Sequence, residues 1–142
     1  MPSQRQLFLN HIGQTSPSPL MLEIESAEGS FLYDSHGRDY LDLISGVSVS
    51  NTGHRHPAVM RALTEQAGRY MHLMVYGEVI QSPQVQYAAR LASLLPPPLE
   101  SVFFVNSGSE AIEGAIKLAR RYTGRNEIIY FRNAYHGSTT GA

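Results

Sequence analysis

The stretch that decides the fold runs from residue 102 to residue 121 and reads VFFVNSGSEAIEGAIKLARR. Its first four residues are all apolar, which is typical of a strand buried on both faces of a parallel sheet. A turn containing Gly108 follows, and apolar residues then recur at helical spacing until Gly124, which predicts a helix. A second apolar run, IIYF at residues 128–131, predicts another buried strand. Strand, helix and strand in this order are the opening of an α/β layer.

The turn between the predicted strand and helix is a candidate anion site. Gly108 lets the main chain approach a ligand closely, and the N–H groups of a helix's first turn point out of its end. The helix dipole favours negative charge there, and Ser107 and Ser109 add hydroxyl donors. Plain N-capping by a serine explains the same residues, so the pattern alone leaves both interpretations open. The spacings of the P-loop and of the GxGxxG dinucleotide motif are absent.

A second candidate segment, NAYHGSTTGA at residues 133–142, follows the second predicted strand. Tyr135 and His136 would then lie at the carboxyl end of a parallel strand, where open α/β sheets bind their ligands. An aromatic side chain beside a glycine can stack on a planar ring. A Tyr–His pair that only packs a turn is the alternative.

The rest of the chain predicts a different organisation. A short helix over residues 3–13, capped by Ser3, is followed by a proline-containing linker and a small antiparallel meander over residues 21–43. Residues 45–57 are rich in Gly, Ser and Asn, which predicts a loop. Two helices follow, one beginning at Pro57 and one over residues 83–95, with Ser82 as its cap and the prolines at 96–98 as its stop.

Composition excludes several classes of protein. The 142 residues are 42% hydrophobic with a net charge of −1, which indicates a globular protein and gives no basic excess for nucleic acid. No apolar run reaches membrane-spanning length, and the N-terminus lacks the features of a signal peptide, so we expect a cytoplasmic protein that binds no membrane. Cysteine is absent, and His54 and His56 lack further ligands nearby, so no metal site is expected.

Three motifs occur in an order that resembles a known family. They are SGV at residues 45–47 with GHRHP at 53–57, VNSGSEAIEGAIKLAR from Val105, and NAYHGST from Asn133. This set strongly resembles the class III aminotransferases of the ornithine and 4-aminobutyrate type, which use pyridoxal 5'-phosphate (PLP). The resemblance spans roughly residues 20–142.

The resemblance implies an α/β fold, that of the fold-type I PLP-dependent transferases. This chain would supply the N-terminal segment of the small domain and the start of the large doubly wound domain. Residues 1–50 would form the small-domain part, residues 51–100 the interface helices, and residues 101–142 the beginning of the PLP-binding domain. The family is homodimeric, with active sites at the interface. Its two first large-domain strands are not neighbours, so this chain by itself would expose strand edges.

The resemblance also implies a role for each candidate residue. Ser107, Gly108 and Ser109 would bind the cofactor phosphate, Tyr135 would stack on the pyridine ring, and His136 would lie beside it. Ser45, Gly46 and Val47 would line the substrate side. Residues 76–79 would approach the active site of the dimer partner.

The expected activity is transfer of an amino group between an amino acid or amine and a 2-oxo acid. In this chemistry a lysine forms a Schiff base with the cofactor and moves a proton, and a carboxylate pairs with the pyridinium nitrogen. The family carries both further along the chain, and Lys117, the only lysine here, lies well inside a helix and off its apolar stripe. We therefore expect no catalytic residue in this chain and no activity from it alone. The alternative is a non-catalytic or degenerate fragment that binds a phosphorylated ligand or a partner.

Overall fold

The computed structural model describes residues 1–74 and 77–142. It forms two compact units, Met1–Leu73 and Met74–Ala142. The predicted domain boundaries after residues 50 and 100 belong to the complete fold, and they remain a prediction.

The first unit begins with helix α1 (Gln4–His11), and Ser3 caps it as predicted: its Oγ accepts from the N–H of Gln6. Three strands follow, β1 (Ile24–Glu28), β2 (Phe31–Asp34) and β3 (Asp39–Leu41). They pair antiparallel in the order β1-β2-β3, with Ala27 opposite Leu32 and Leu32 opposite Tyr40. The predicted meander is therefore confirmed.

The turn between β2 and β3 is built around Asp34, which is buried. Its carboxylate accepts hydrogen bonds from the N–H of His36, from the N–H and Nε of Arg38, and from the Tyr40 hydroxyl. Burial alone would raise the pKa of Asp34, but these hydrogen bonds outweigh it and hold the pKa well below its usual range. Asp34 thus shapes a turn, as the meander interpretation requires.

Two segments of the first unit follow the meander. The four residues of α2 (Ser45–Ser48) form a short helical turn where a loop was predicted, so that prediction was wrong in detail. The predicted helix at Pro57 is present as α3 (Pro57–Ala67), and Nδ1 of His56 accepts from the N–H of Ala58 at its start.

The second unit contains α4 (Ser82–Ala92) and α5 (Gly108–Thr123). Helix α4 starts one residue before the predicted start and ends before Leu95, and its N-cap is Gln81 rather than Ser82. Helix α5 is the one predicted, with Ser107 as its N-cap and Gly124 at its end.

The two predicted buried strands are absent from the second unit. Residues 102–105 and 128–131 are not paired in a sheet, and Phe103 and Ile129 are 88% and 99% exposed. The physical reason is that a strand needs a neighbour for its N–H and C=O groups, and the described residues offer these segments none. Phe103 and Ile129 therefore remain on the surface, whereas Val102 and Phe104 are half-buried.

No hydrophobic side chain of the described residues is buried. The accessible surface is 12863 Å² for a mass of 15.7 kDa. A compact monomer of that mass exposes about 7300 Å². Local hydrogen bonding and capping therefore account for more of the order in this chain than a hydrophobic core does.

Candidate functional site

The N-terminus of α5 is capped by the side chains of Ser107 and Glu110. The Ser107 Oγ accepts from the N–H of Glu110 at 3.2 Å, and the Glu110 carboxylate accepts from the N–H of Asn106 at 2.7 Å. Within residues 1–74 and 77–142, no hydrogen bond engages the N–H groups of Gly108 and Ser109. A Cβ added at Gly108 would meet nothing within 4 Å. Two main-chain donors at this helix end thus have no hydrogen-bond partner among the described residues.

The segment after residue 133 packs against this helix end. The N–H of Ser138 donates to the Ser109 Oγ at 3.3 Å. Gly137 has a φ of +147°, and a Cβ there would collide with the Ser109 Oγ, so only glycine fits. The contact orients the Ser109 hydroxyl: because its oxygen accepts from Ser138, its own proton is left to donate to a ligand.

Tyr135 joins the same hydrogen-bonded chain. Its hydroxyl lies 3.0 Å from the Ser138 Oγ, while 80% of the residue's surface is exposed. His136, next to it, is also exposed. Ser138 therefore connects the phenol ring of Tyr135 to the N-terminus of α5. The two motifs, 29 residues apart at Ser109 and Ser138, meet in the structure.

A second anchor lies one turn further along α5. The Glu113 carboxylate accepts from the N–H of Gly141 at 2.8 Å. This hydrogen bond, with one from the Thr139 side chain and the positive charges of Lys117 and Arg120, lowers the pKa of Glu113. Glu113 is therefore ionised at neutral pH and fixes the far end of the segment.

A cleft of about 1040 Å³ lies between α5 and the residues that follow it. Tyr135 and His136 line one part of it, and the apolar side chains of Ile112 and Ile116 line another. Lys117 also borders this cleft and is exposed. It lies eight residues after Ser109, about 12 Å along the helix axis.

Ser45, Gly46 and Val47 lie in the first unit, in the turn α2. Its four residues all have positive φ, +51°, +61°, +61° and +64° from Ser45 to Ser48, so the turn is left-handed. The Asp42 Oδ1 accepts from the N–H of Ser45 at 2.8 Å, and its Oδ2 lies 2.7 Å from the His54 Nε2. His54 and His56 thus both make hydrogen bonds, His54 to Asp42 and His56 to the N–H of Ala58.

The structure thus groups five of the eight candidate residues, Ser107, Gly108, Ser109, Tyr135 and His136, within one unit. The other three, Ser45, Gly46 and Val47, share one turn of the other unit. Of residues 76–79, Tyr76 lies outside the described residues, and residues 77–79 are exposed. Three contact residues were not singled out from the sequence: Glu113, Gly137 and Ser138. Gly137 and Ser138 lie inside the quoted NAYHGST motif, which was the signal available for them.

Comparison with known proteins identifies the family. The sequence model described as "Aminotransferase class-III" matches residues 12–142. The chain belongs to the class III aminotransferases. It is 42% identical over 134 residues to an acetylornithine aminotransferase of Methanopyrus kandleri, covering 93% of this chain and 33% of that protein. It is 40% identical over 129 residues to the 5-aminovalerate aminotransferase DavT of Pseudomonas aeruginosa, covering 90% of this chain and 29% of that one.

The fold comparison agrees with the family. The adenosylmethionine-8-amino-7-oxononanoate aminotransferase of Methanocaldococcus jannaschii superposes with a TM-score of 0.89 at 30% identity, over 97% of this chain and 34% of that one. The expected fold class, the N-terminal part of a fold-type I transferase, is confirmed. This class III aminotransferase chain spans about a third of the length of the curated relatives it matches. No helix among the described residues is long and apolar enough to cross a membrane.

Proposed function

We propose that this chain supplies the phosphate-binding and ring-stacking part of a PLP-dependent aminotransferase. The observation that carries the proposal is the contact between Ser109 and Ser138, which joins the open helix end to Tyr135. The donors found there suit a phosphate monoester, and the exposed aromatic ring suits a planar heterocycle. The residues present therefore fit PLP.

Phosphate binding would fall to the start of α5. The N–H groups of Gly108 and Ser109 have no other partner among the described residues, and the Ser109 hydroxyl has a proton to donate. The dipole of a 16-residue helix adds a favourable potential for a dianion. Ser107 contributes by capping, which fixes the direction of these donors.

Ring binding would fall to Tyr135, because its hydroxyl is held by Ser138 while its ring stays exposed. His136 would border the ring on the side of the cleft. Ser45, Gly46 and Val47 would line the substrate side.

When bound, PLP acts as an electron sink that carries the amino group between substrates. The described residues would bind and orient this group, and none of them would move the substrate proton, because Lys117 lies about 12 Å along α5 from Ser109. The chain alone is therefore proposed to be inactive. The complete enzyme would be a cytoplasmic homodimer that transfers an amino group from an amino acid or amine to a 2-oxo acid.

The first experiment is to titrate the full-length gene product with PLP, treat it with borohydride and digest it for mass spectrometry. We expect PLP to become fixed to a lysine other than Lys117. Binding of PLP with nothing fixed by borohydride would support the alternative, a phosphate-ligand module without catalysis. Failure to bind PLP at all would overturn the proposal.

A backbone substitution tests the phosphate site. Ser109→Pro removes one N–H at a first-turn position, where proline is compatible with a helix. Loss of one charge-assisted hydrogen bond should weaken PLP binding about tenfold or more. Ser109→Ala is the matched control, because it keeps the N–H and loses only the hydroxyl, and it should weaken binding less. Equal affinity for the proline variant and the unmodified protein would refute the assignment.

A further inference from the structure

The turn α2 is in a conformation that its own residues disfavour. Ser45, Val47 and Ser48 have φ of +51°, +61° and +64°, where the Cβ of an L-residue crowds the following carbonyl. Val47 is β-branched, for which positive φ is an outlier. Such a turn persists only where surrounding contacts over-determine it.

Besides its own backbone hydrogen bonds, the turn is held at its entry by side-chain contacts that converge on Asp42. Its Oδ1 accepts from the N–H groups of Ile44 and Ser45, at 3.2 and 2.8 Å. Its Oδ2 lies 2.7 Å from the His54 Nε2. Only 10% of the Asp42 side chain is exposed, and 23% of the His54 side chain. The Asp42 carboxylate therefore holds both the entry to α2 and the side chain of His54.

His54 is itself fixed by the backbone. Its N–H donates to the Gly29 carbonyl at 2.7 Å, and its carbonyl accepts from the N–H of Gly29 at 3.1 Å. The pair Asp42–His54 therefore ties the left-handed turn to the meander. Because an ionised carboxylate only accepts hydrogen bonds, the His54 Nε2 carries the proton.

We infer that His54, acting through Asp42, is a positioning residue that keeps residues 45–48 left-handed for substrate binding. The inference rests on the proposed function, which places Ser45, Gly46 and Val47 on the substrate side. His54 touches no substrate itself. Its removal should loosen the turn and weaken substrate binding, with little effect on turnover once substrate is bound.

The test uses the full-length gene product with three variants. His54→Ala removes the Nε2 donor that orients the Asp42 carboxylate, so that Asp42 should hold Ile44 and Ser45 less firmly. His54→Gln retains an N–H donor at a similar reach and should rescue the effect. His36→Ala is the matched control, because the side chain of His36 is exposed and makes no hydrogen bond within the described residues.

Two readouts separate the inference from the proposed function. By amide hydrogen exchange, His54→Ala should speed exchange at Ser45 about tenfold, with His54→Gln and His36→Ala close to the unmodified protein. In transamination assays, His54→Ala should raise KM for the amino donor about tenfold and leave kcat within twofold. Unchanged amide exchange overturns the inference, whatever the activity.

The remaining outcomes are also decisive. Faster exchange with an unchanged KM would overturn the substrate-side role. If the unmodified protein binds no PLP and transfers no amino group, the proposed function fails, and the exchange data still decide whether His54 holds the turn. If His54→Ala does not fold, Asp42→Asn takes its place, since it removes the charged acceptor. His54→Gln remains the conservative variant with which it is compared.

Discussion

A single glycine, Gly53, allows the backbone contact that closes the first unit. Gly53 has a φ of +77°, and a Cβ built there would lie 2.9 Å from the carbonyl oxygen of Gly29. That carbonyl accepts from the N–H of His54 in the bridge that closes the first unit. Both the backbone conformation and the close approach therefore require glycine at this position.

Gly53→Ala should weaken the bridge between Gly29 and His54. A side chain forced into positive φ and against a backbone oxygen costs about 1 kcal/mol or more. We expect amide exchange at Gly29 and His54 to become about fivefold faster. Gly13→Ala is the control, because a Cβ there meets nothing within 4 Å. Equal exchange in the two variants would contradict the close approach at Gly53.

At the scale of elements, the sequence predicted what depends on local chemistry. Ser3 caps α1, Ser107 caps α5, and Gly124 ends α5, because each satisfies backbone groups of its own helix end. The meander was also predictable from the local sequence, because its consecutive strands pair through short turns. What failed were the apolar runs at 102–105 and 128–131, because a parallel strand depends on neighbours distant in sequence.

The same distinction between local contacts and contacts distant in sequence applies to the candidate site. The capping at Ser107 and the motif beside Tyr135 could be read from the sequence. The hydrogen bond from Ser138 to Ser109 and that from Gly141 to Glu113 could not, because both join residues nearly 30 positions apart. The left-handed turn at Ser45 was also missed, since its serines and valine ordinarily avoid positive φ and the turn depends partly on the Asp42 carboxylate outside it.

The pH dependence of the contact between α5 and the segment after residue 133 is predictable. The pKa of Glu113 is lowered, so its contact with Gly141 is fully present above the ordinary value of 4.5 and is lost as pH falls through the lowered pKa. The amide proton shift of Gly141, followed by NMR, should therefore titrate with a midpoint below 4.5.

Glu113→Gln separates charge from geometry in that titration. The glutamine keeps an oxygen for Gly141 and has no proton to gain in this range. We expect the titration at Gly141 to disappear, whereas Glu127→Gln, at an exposed position, should leave it unchanged. A Gly141 titration that survives Glu113→Gln would show that another group controls the contact.

For the whole molecule, the exposed apolar surface is the dominant physical fact. The residues of the proposed phosphate site are held by capping at the start of α5 and by the hydrogen bond from Ser138 to Ser109, and neither contact needs a core to form. The flanking segments have the composition of buried strands and lie open. The curated relatives that this chain matches are about three times as long, and we propose that strands of such a longer chain cover these side chains.

Replacing those side chains gives a direct test of their environment. Ile129 and Phe131 are 99% and 86% exposed. In this 142-residue chain, Ile129→Ser with Phe131→Ser should change the free energy of unfolding by less than about 0.5 kcal/mol. Binding of an apolar dye should fall, because the exposed apolar area is smaller.

The effect of these substitutions should differ between this chain and a polypeptide that also contains the neighbouring strands. Ile116→Ser, at a half-buried position on α5, is the control that should destabilise this chain measurably. In a polypeptide that also contains the neighbouring strands, Ile129→Ser with Phe131→Ser should cost several kcal/mol, because each substitution then leaves a buried cavity and an unpaired hydroxyl. A cost of that size in the 142-residue chain would mean that residues 128–131 are already buried there. Urea denaturation of the two polypeptides, each with and without the substitutions, measures this difference.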